Sequence, residues 1–330
     1  MLSTCVIIPA AGSGSRLGCH EPKAFVRVNG RTLLARSLAT IISSGVASAI
    51  VVAAPEDFLL QAQEEIAEAA TRMKCEISIT AVAGGNDRSS SVQTALKLNR
   101  GAEFVLVHDA ARCLTPTEVF TRVVAALQSG AEAVVPVLPM IDTVRRVVPH
   151  GAGGAEPSAG TGAGGASDGI VGSIHGDFGA ETTADRPDNP IAAVTEGPGA
   201  RAVVRGDLER AQLRRVQPPQ GFRAEVLRRA HREFAADGAG LADGTVATDD
   251  TCPTDGAGST PLADRLGRAL PTDDAGLVER LGVDIVAVDG DEEALKITYP
   301  LDLVLAEQLA RMRDRAEVHG ADGLDSAKEA

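Results

Sequence analysis

Val6-Ile7-Ile8-Pro9-Ala10-Ala11-Gly12-Ser13-Gly14-Ser15-Arg16-Leu17-Gly18, followed by Pro22-Lys23, sets the character of this chain. A β-branched apolar run breaks at once into a glycine-rich loop that carries two cations. Glycine lets the backbone turn sharply and brings bare N–H groups close to a ligand, while Arg16 and Lys23 add positive charge. That combination suits a triphosphate. A tight strand-to-helix turn in any α/β protein would also use the glycines; the two cations at this spacing favour the nucleotide reading.

Outward from this loop, strand-length apolar runs alternate with helix-length amphipathic segments. The pattern predicts strands over 4–9, 49–53, 76–82, 104–108 and 133–137, and helices over 32–43, 55–72, 89–98 and 115–128. Thr115, Pro116 and Glu118 read as a capping box, with Thr115 as N-cap and proline in the first helical position. Such alternation implies an α/β fold with a mainly parallel sheet and helices on both faces. Ligands of these sheets bind beyond the carboxyl ends of the strands. The loop after the first strand and Asp109 after the fourth both belong to that edge.

The composition excludes several classes. A net charge of −13 and a pI near 5.0 argue against a nucleic-acid partner, which demands a basic face. Five scattered cysteines without CxxC or metal spacing read as reduced thiols of a cytoplasmic protein. No secretory leader and no 18-residue apolar span is present, so neither export nor a membrane partner is expected. Residues 151–200 carry 13 of the 35 glycines and one aromatic, Phe178, too little apolar surface to offset ordering entropy. The expectation is a single domain over 1–318, with an arm at about 139–206 containing a flexible insertion over 151–200. A second loose insertion is expected over 235–270 and a disordered tail over 319–330. Between them the pattern gives strands over 202–204 and 283–288, and helices over 207–214, 222–234 and 300–313.

His108-Asp109-Ala110-Ala111-Arg112 is the second strong signal. Asp109 emerges at the ligand-binding edge, where a carboxylate can hold Mg²⁺ bridged to substrate phosphates. Alternatively, Asp109 caps the next turn and pairs with Arg112. His108, at the end of a buried strand, reads as a packing residue.

Together these motifs resemble the 2-C-methyl-D-erythritol 4-phosphate cytidylyltransferases of the non-mevalonate isoprenoid pathway. Asp142-Thr143-Val144-Arg145-Arg146 is similar to that family's Asp-Thr-x-Lys segment opening its dimerisation arm. Arg210, Leu213 and Gln217-Pro218-Pro219-Gln220-Gly221-Phe222 match its Arg…Leu…Gln-Thr-Pro-Gln-x-Phe spacing. Thr272-Asp273-Asp274-Ala275 with Gly282 matches another block, and Leu295-Lys296-Ile297-Thr298-Tyr299-Pro300-Leu301-Asp302-Leu303 matches the Ile-Lys-Ile-Thr-x-Pro-x-Asp-Leu ending.

The resemblance implies a GT-A-like, Rossmann-like nucleotidyltransferase fold with a protruding dimerisation arm. It also implies transfer of CMP from CTP to methylerythritol phosphate with Mg²⁺. On that basis Arg16, Lys23 and Lys296 are catalytic, and Ala10, Ala11, Gly12, Gly14, Gly84, Gly85 and Ser91 bind the nucleotide. Asp109, Arg112, Thr143 and Arg210 meet the polyol phosphate, and Asp109 also holds the metal. Thr143 and Arg210 would come from the neighbouring subunit, giving a homodimer with a shared active site. Three positions depart from the pattern: Pro218 replaces a threonine, Ala294 an asparagine, and Arg145 a lysine. Proline offers neither hydroxyl nor N–H. The alternatives are ribitol 5-phosphate cytidylyltransferase, a catalytically dead scaffold of the same fold, and a dinucleotide-binding oxidoreductase. The last would need an acidic ribose reader about 20 residues past the glycines.

Overall fold

The computed structural model describes residues 3–12, 14–19, 21–98, 101–149, 202–205, 208–242 and 272–325. The expected insertion over 151–200, most of the one over 235–270, and residues 326–330 lie outside the described residues. In chain order the elements are β1 (Thr4–Pro9), β2 (Arg27–Val28), β3 (Arg31–Thr32), α1 (Leu33–Ser44), β4 (Ala49–Ala54), α2 (Leu59–Met73), β5 (Ser78–Ala83), α3 (Arg88–Leu98), β6 (Phe104–Val107), α4 (Thr117–Gln128) and β7 (Ala133–Pro139). After these come β8 (Arg146–Pro149), β9 (Ala202–Arg205), β10 (Arg214–Val216), β11 (Gln220–Arg223), α5 (Ala224–Ala242), α6 (Asp274–Glu279), β12 (Ile285–Asp289) and α7 (Pro300–Asp325).

The main sheet runs β10-β7-β11-β6-β1-β4-β5, with β12 also on β7. β1 is central and parallel to both neighbours, with Ile7 opposite Val51 on one side and Val107 on the other. Alternation along β1 sorts its side chains onto two faces. Val6 and Ile8 join α1, α2 and α4 in one core through Leu34, Leu38, Ile66 and Phe120. Cys5 and Ile7 join α3, α5 and α6 in the other through Val92, Leu227 and Val278. Both faces are thus covered, as the continuous apolar reading of β1 requires. α1 is closed at both ends: Thr32 accepts the Ala35 N–H, and Gly45 stops the helix at φ +67°.

The structure departs from the sequence reading in several places, among them α5, which runs to Ala242 and so into the insertion expected over 235–270. Pro116, not Thr115, precedes the first turn of α4, and no side chain caps it. Thr115 Oγ1 instead donates to the Arg112 carbonyl at 2.8 Å. The helix read over 207–214 is one 3-10 turn, Arg210–Gln212, followed by β10, because sheet pairing at the edge outweighs a short amphipathic pattern. The helix read from 222 begins at Ala224, since Gln220–Arg223 inserts as β11, antiparallel to β6 and β7. A side chain at Gly221 would collide with Val123 of α4, so that strand passes directly under the helix. α7 continues to Asp325, through most of the span read as a tail.

The chain divides into two compact units, Met1–Leu138 with Arg215–Ala330, and Pro139–Arg214. The second overlaps the span of about 139–206 read as an arm. Within it β8 pairs antiparallel with β9, Val147 opposite Val204.

Candidate active site

The loop leaving β1 forms one wall of a cleft of about 470 Å³, the size of a small-molecule site. Ala10 lines it, but its N–H donates to Ala53 O at 2.8 Å, extending the β1–β4 ladder. Any loop amide that meets an anion therefore lies beyond Ala10. Gly14 turns at φ +73°, and a Cβ there would sit 3.1 Å from Lys23 N. Lys23 N in turn donates to Gly12 O at 3.1 Å. The glycines therefore let the loop fold back onto the segment that presents Lys23. Ala11, Gly12, Gly14, Arg16 and Lys23 all line the cleft.

The opposite wall is the turn after β5. Gly84 N donates to Ala54 O at 2.7 Å, and a Cβ on Gly84 would approach Ala11 Cβ to 2.8 Å, so this glycine lets the two walls close up. Gly85 and Ser91 line the cleft. Ser91 Oγ accepts the Gly85 N–H at 3.0 Å and donates to Asp87 O at 2.7 Å, so its hydroxyl shapes the turn.

Asp109 and Lys296 lie between these walls. Asp109 follows β6 and does not cap the turn after it. The Lys296 segment is pinned behind Asp109 by two bonds: Ile297 N to Ala111 O at 2.9 Å, and Arg112 Nη1 to Ala294 O at 2.5 Å. Arg112 thus braces the segment that carries Lys296 and is not among the residues lining the cleft. Lys296 Nζ is 3.1 Å from Asp109 Oδ2, and Arg88 Nε is 3.3 Å from Asp109 Oδ1. Arg88 Nη1 also reaches Asp274 Oδ2 at 2.5 Å, and His231 Nε2 lies 2.9 Å from Asp274 Oδ1.

Charge follows this geometry. Burial pushes the Asp109 carboxyl up, but Arg88 and Lys296 overcome it and hold it well below the usual carboxylate range. Burial, together with the nearby Lys296 and Arg16 cations, lowers Lys23 to about 8. Three cations crowded enough to depress a lysine form a site short of an anion. His108 behaves as a packing residue: its ring is buried, lies 4.9 Å from the Phe120 ring, and burial lowers it to about 4.

The structure therefore brings together Ala10, Ala11, Gly12, Gly14, Arg16, Lys23, Gly85, Ser91, Asp109 and Lys296, with Gly84 directly behind. Thr143 and Arg210 belong to the second unit, where both are exposed and Arg210 Nη1 donates to Ile141 O at 2.7 Å. Pro218 and Ala294 are both buried. Sequence reasoning quoted Asp274 only as part of a matching block and gave no site role to it, to Arg88 or to His231. The available signal was Asp274 itself: a carboxylate in an apolar helix requires a cation, and Arg88 opens α3 just after Gly84-Gly85. Among the described residues no group of three or more His, Cys, Asp or Glu could hold a metal, and no helix is long and apolar enough to cross a membrane.

Comparison with known proteins identifies the family. The family described as IspD, 2-C-methyl-D-erythritol 4-phosphate cytidylyltransferase, matches residues 4–153 and 262–312. A 2-C-methyl-D-erythritol 4-phosphate cytidylyltransferase of Rhodococcus opacus is 36% identical over 303 residues, covering 92% of this chain and 93% of that protein. One from Streptomyces avermitilis is 35% identical over 312 residues, covering 94% and 93%. The crystal structure of the Thermus thermophilus enzyme of that name superposes with a TM-score of 0.55 at 28% identity, covering 94% of this chain and all of that one. The dinucleotide-binding alternative falls with these matches. Identity at this level, sustained along nearly the full length of both chains, establishes that the chain belongs to the 2-C-methyl-D-erythritol 4-phosphate cytidylyltransferase family.

Proposed function

We infer that the chain transfers the cytidylyl group of CTP to 2-C-methyl-D-erythritol 4-phosphate, releasing pyrophosphate. The observation that carries this reading is the gathering of Arg16, Lys23, Arg88 and Lys296 around Asp109 in one cleft of a protein whose net charge is −13. An oxygen of the acceptor phosphate attacks the α-phosphorus, and the bond from that phosphorus to the pyrophosphate oxygen breaks. The acceptor phosphate is already a nucleophile, so no serine, cysteine or histidine is required. Catalysis reduces to aligning two anions and neutralising the charge that develops between them.

Arg16 and Lys23 are assigned to the triphosphate and the departing pyrophosphate, and Lys296 to the α-phosphate. The glycine loops confine the base and ribose. Asp109 fits a Mg²⁺ site, because one ionised carboxylate plus substrate phosphates is a donor set this ion accepts. When bound there, Mg²⁺ would neutralise phosphate charge. Thr143 and Arg210 are assigned to the acceptor from a neighbouring subunit's arm, whose Ile141 and Val204 are more than half exposed, an apolar surface suited to a homodimer. Cys19, Cys75 and Cys113 are free thiols, which fits work in the reducing cytoplasm.

Pyrophosphate release is the direct test. With CTP and Mg²⁺ present, methylerythritol phosphate should support turnover and ribitol 5-phosphate should not. Release with ribitol phosphate alone would move the assignment to the sister enzyme, and release with neither would end it.

A further inference from the structure

Five side chains form an unbroken line of polar contacts that leads from behind the cleft into it. His231 of α5 meets Asp274 of α6, Asp274 meets Arg88 of α3, and Arg88 meets Asp109, whose second oxygen meets Lys296. The line runs from a fully interior point to the reacting edge. His231 and Asp274 are 3% and 1% exposed, Arg88 and Asp109 are 29% and 11%, and Lys296 is 46% exposed. Exposure therefore rises toward the cleft.

We propose that His231 and Asp274 are positioning residues that anchor Arg88, so that Arg88 keeps hold of the Asp109 carboxylate when Lys296 leaves it for substrate. This rests on the reading of the cleft given above. The contacts of Asp109 motivate it. Two cations grip opposite oxygens of that carboxylate, fixing its plane. Lys296 is assigned to phosphate, and a lysine ammonium on a half-exposed stem can swing to it. Once it does, Oδ2 is open to the metal assigned to this carboxylate, and Arg88 at Oδ1 is the ion-pair partner that still orients it.

Arg88 can do this only if its own fork is fixed. Its Nη1 bond to Asp274 is the shorter of its two carboxylate contacts, 2.5 Å against 3.3 Å to Asp109. Asp274 is the firmer hold because both its oxygens are engaged and it lies in the core. Gln220 secures the same helix start, accepting the Ala275 N–H at 3.1 Å and donating to Asp273 at 2.7 Å. His231 supplies the remaining bond of Asp274. A donor there needs only one ring N–H, so a neutral imidazole suffices. With that bond lost, a buried carboxylate is left under-satisfied and can rotate, carrying the guanidinium with it.

The test is a kinetic series on the full-length protein with CTP, Mg²⁺ and methylerythritol phosphate. His231→Phe, which keeps an aromatic volume but loses the donor, should lower kcat about tenfold, with the KM for CTP within about twofold. His231→Gln, which restores an N–H donor, should recover at least about a third of the wild-type kcat. Asp274→Asn should lose more than His231→Phe, because Arg88 then lacks its buried counter-charge. In an Arg88→Lys background His231→Phe should change kcat by less than about twofold, since the effect runs through the guanidinium fork.

A simple packing role predicts otherwise: additive losses, and no rescue by glutamine. Wild-type kcat in folded His231→Phe, or full additivity with Arg88→Lys, overturns the proposal. If His231→Phe does not fold, wild-type kcat in Asp274→Asn overturns it equally. No turnover by the unmutated protein would instead sink the functional reading beneath it.

Discussion

Lys23 is the side chain whose environment makes the most specific demand. Burial, then the Lys296 and Arg16 charges, lower it to about 8, so near pH 8 about half of the ligand-free molecules carry it neutral. A bound triphosphate supplies the missing anion and raises its pKa. The complex then holds more protons than the free protein between the two pKa values, so CTP binding takes up a proton and weakens as pH climbs past 8. Calorimetry at pH 8 in two buffers of different ionisation enthalpy should show this uptake, and Lys23→Arg should abolish it, because arginine stays charged throughout. Equal heats in both buffers for the wild type would refute the assignment of Lys23 to phosphate. Lys23→Ala should cost about 10²–10³ in kcat, the scale of one preorganised charge contact. The place of Lys23 and Arg16 in the cleft was legible in the sequence because both flank the glycine loop that leaves β1. Arg88 was not, because its role depends on Asp109 and Asp274, which stand 21 and 186 residues away along the chain.

At the scale of elements, α7 does more than close the sheet. Its Ala306 and Ala310 pack with Val28, Leu33 and Ile297, and its acidic side chains grip the β2–β3 hairpin. Glu307 accepts the Asn29 N–H at 2.8 Å, and Asp314 accepts Asn29 Nδ2 at 2.6 Å and Arg36 Nη2 at 2.9 Å. At its start, Asp302 accepts the Thr298 and Tyr299 N–H groups at 2.8 Å each. One helix therefore ties down both the segment after Lys23 and the segment after Lys296. Asp314→Ala would leave Arg36, only 6% exposed, without its carboxylate. Breaking a buried pair costs about 3–5 kcal/mol, reduced here to about 1–3 because Asp314 is partly solvated. The melting temperature should fall by about 3–8 °C, and an unchanged value would show that the clamp contributes nothing. The termini of α1, β1 and β4 were readable to within a residue because long, buried, periodic segments dominate their own pattern. The hairpin and β11 were not, since strands of two and four residues carry no period, and the partners of β11 lie far along the chain.

For the whole molecule, the topology explains why residues from four distant stretches share one rim, but the acceptor half of the reaction is assigned to the second unit. Thr143 and Arg210 sit in Pro139–Arg214, a unit that folds on its own β8–β9 pair. If each site takes Lys23 from one subunit and Arg210 from the other, the two lesions can complement. Arg210→Ala dimers and Lys23→Ala dimers should each be nearly inactive. In a mixed dimer, one site receives intact Lys23 and intact Arg210, while the other receives both lesions. Free exchange at equal concentrations makes half of the dimers mixed, with one working site in two, so activity should return to about a quarter of wild type, as the symmetry of an isologous dimer requires. Native mass spectrometry of differently tagged subunits would report the exchange independently. Confirmed exchange without recovery would mean that each subunit completes its own site, and Arg210 would have to be reassigned to holding the arm through its bond to Ile141.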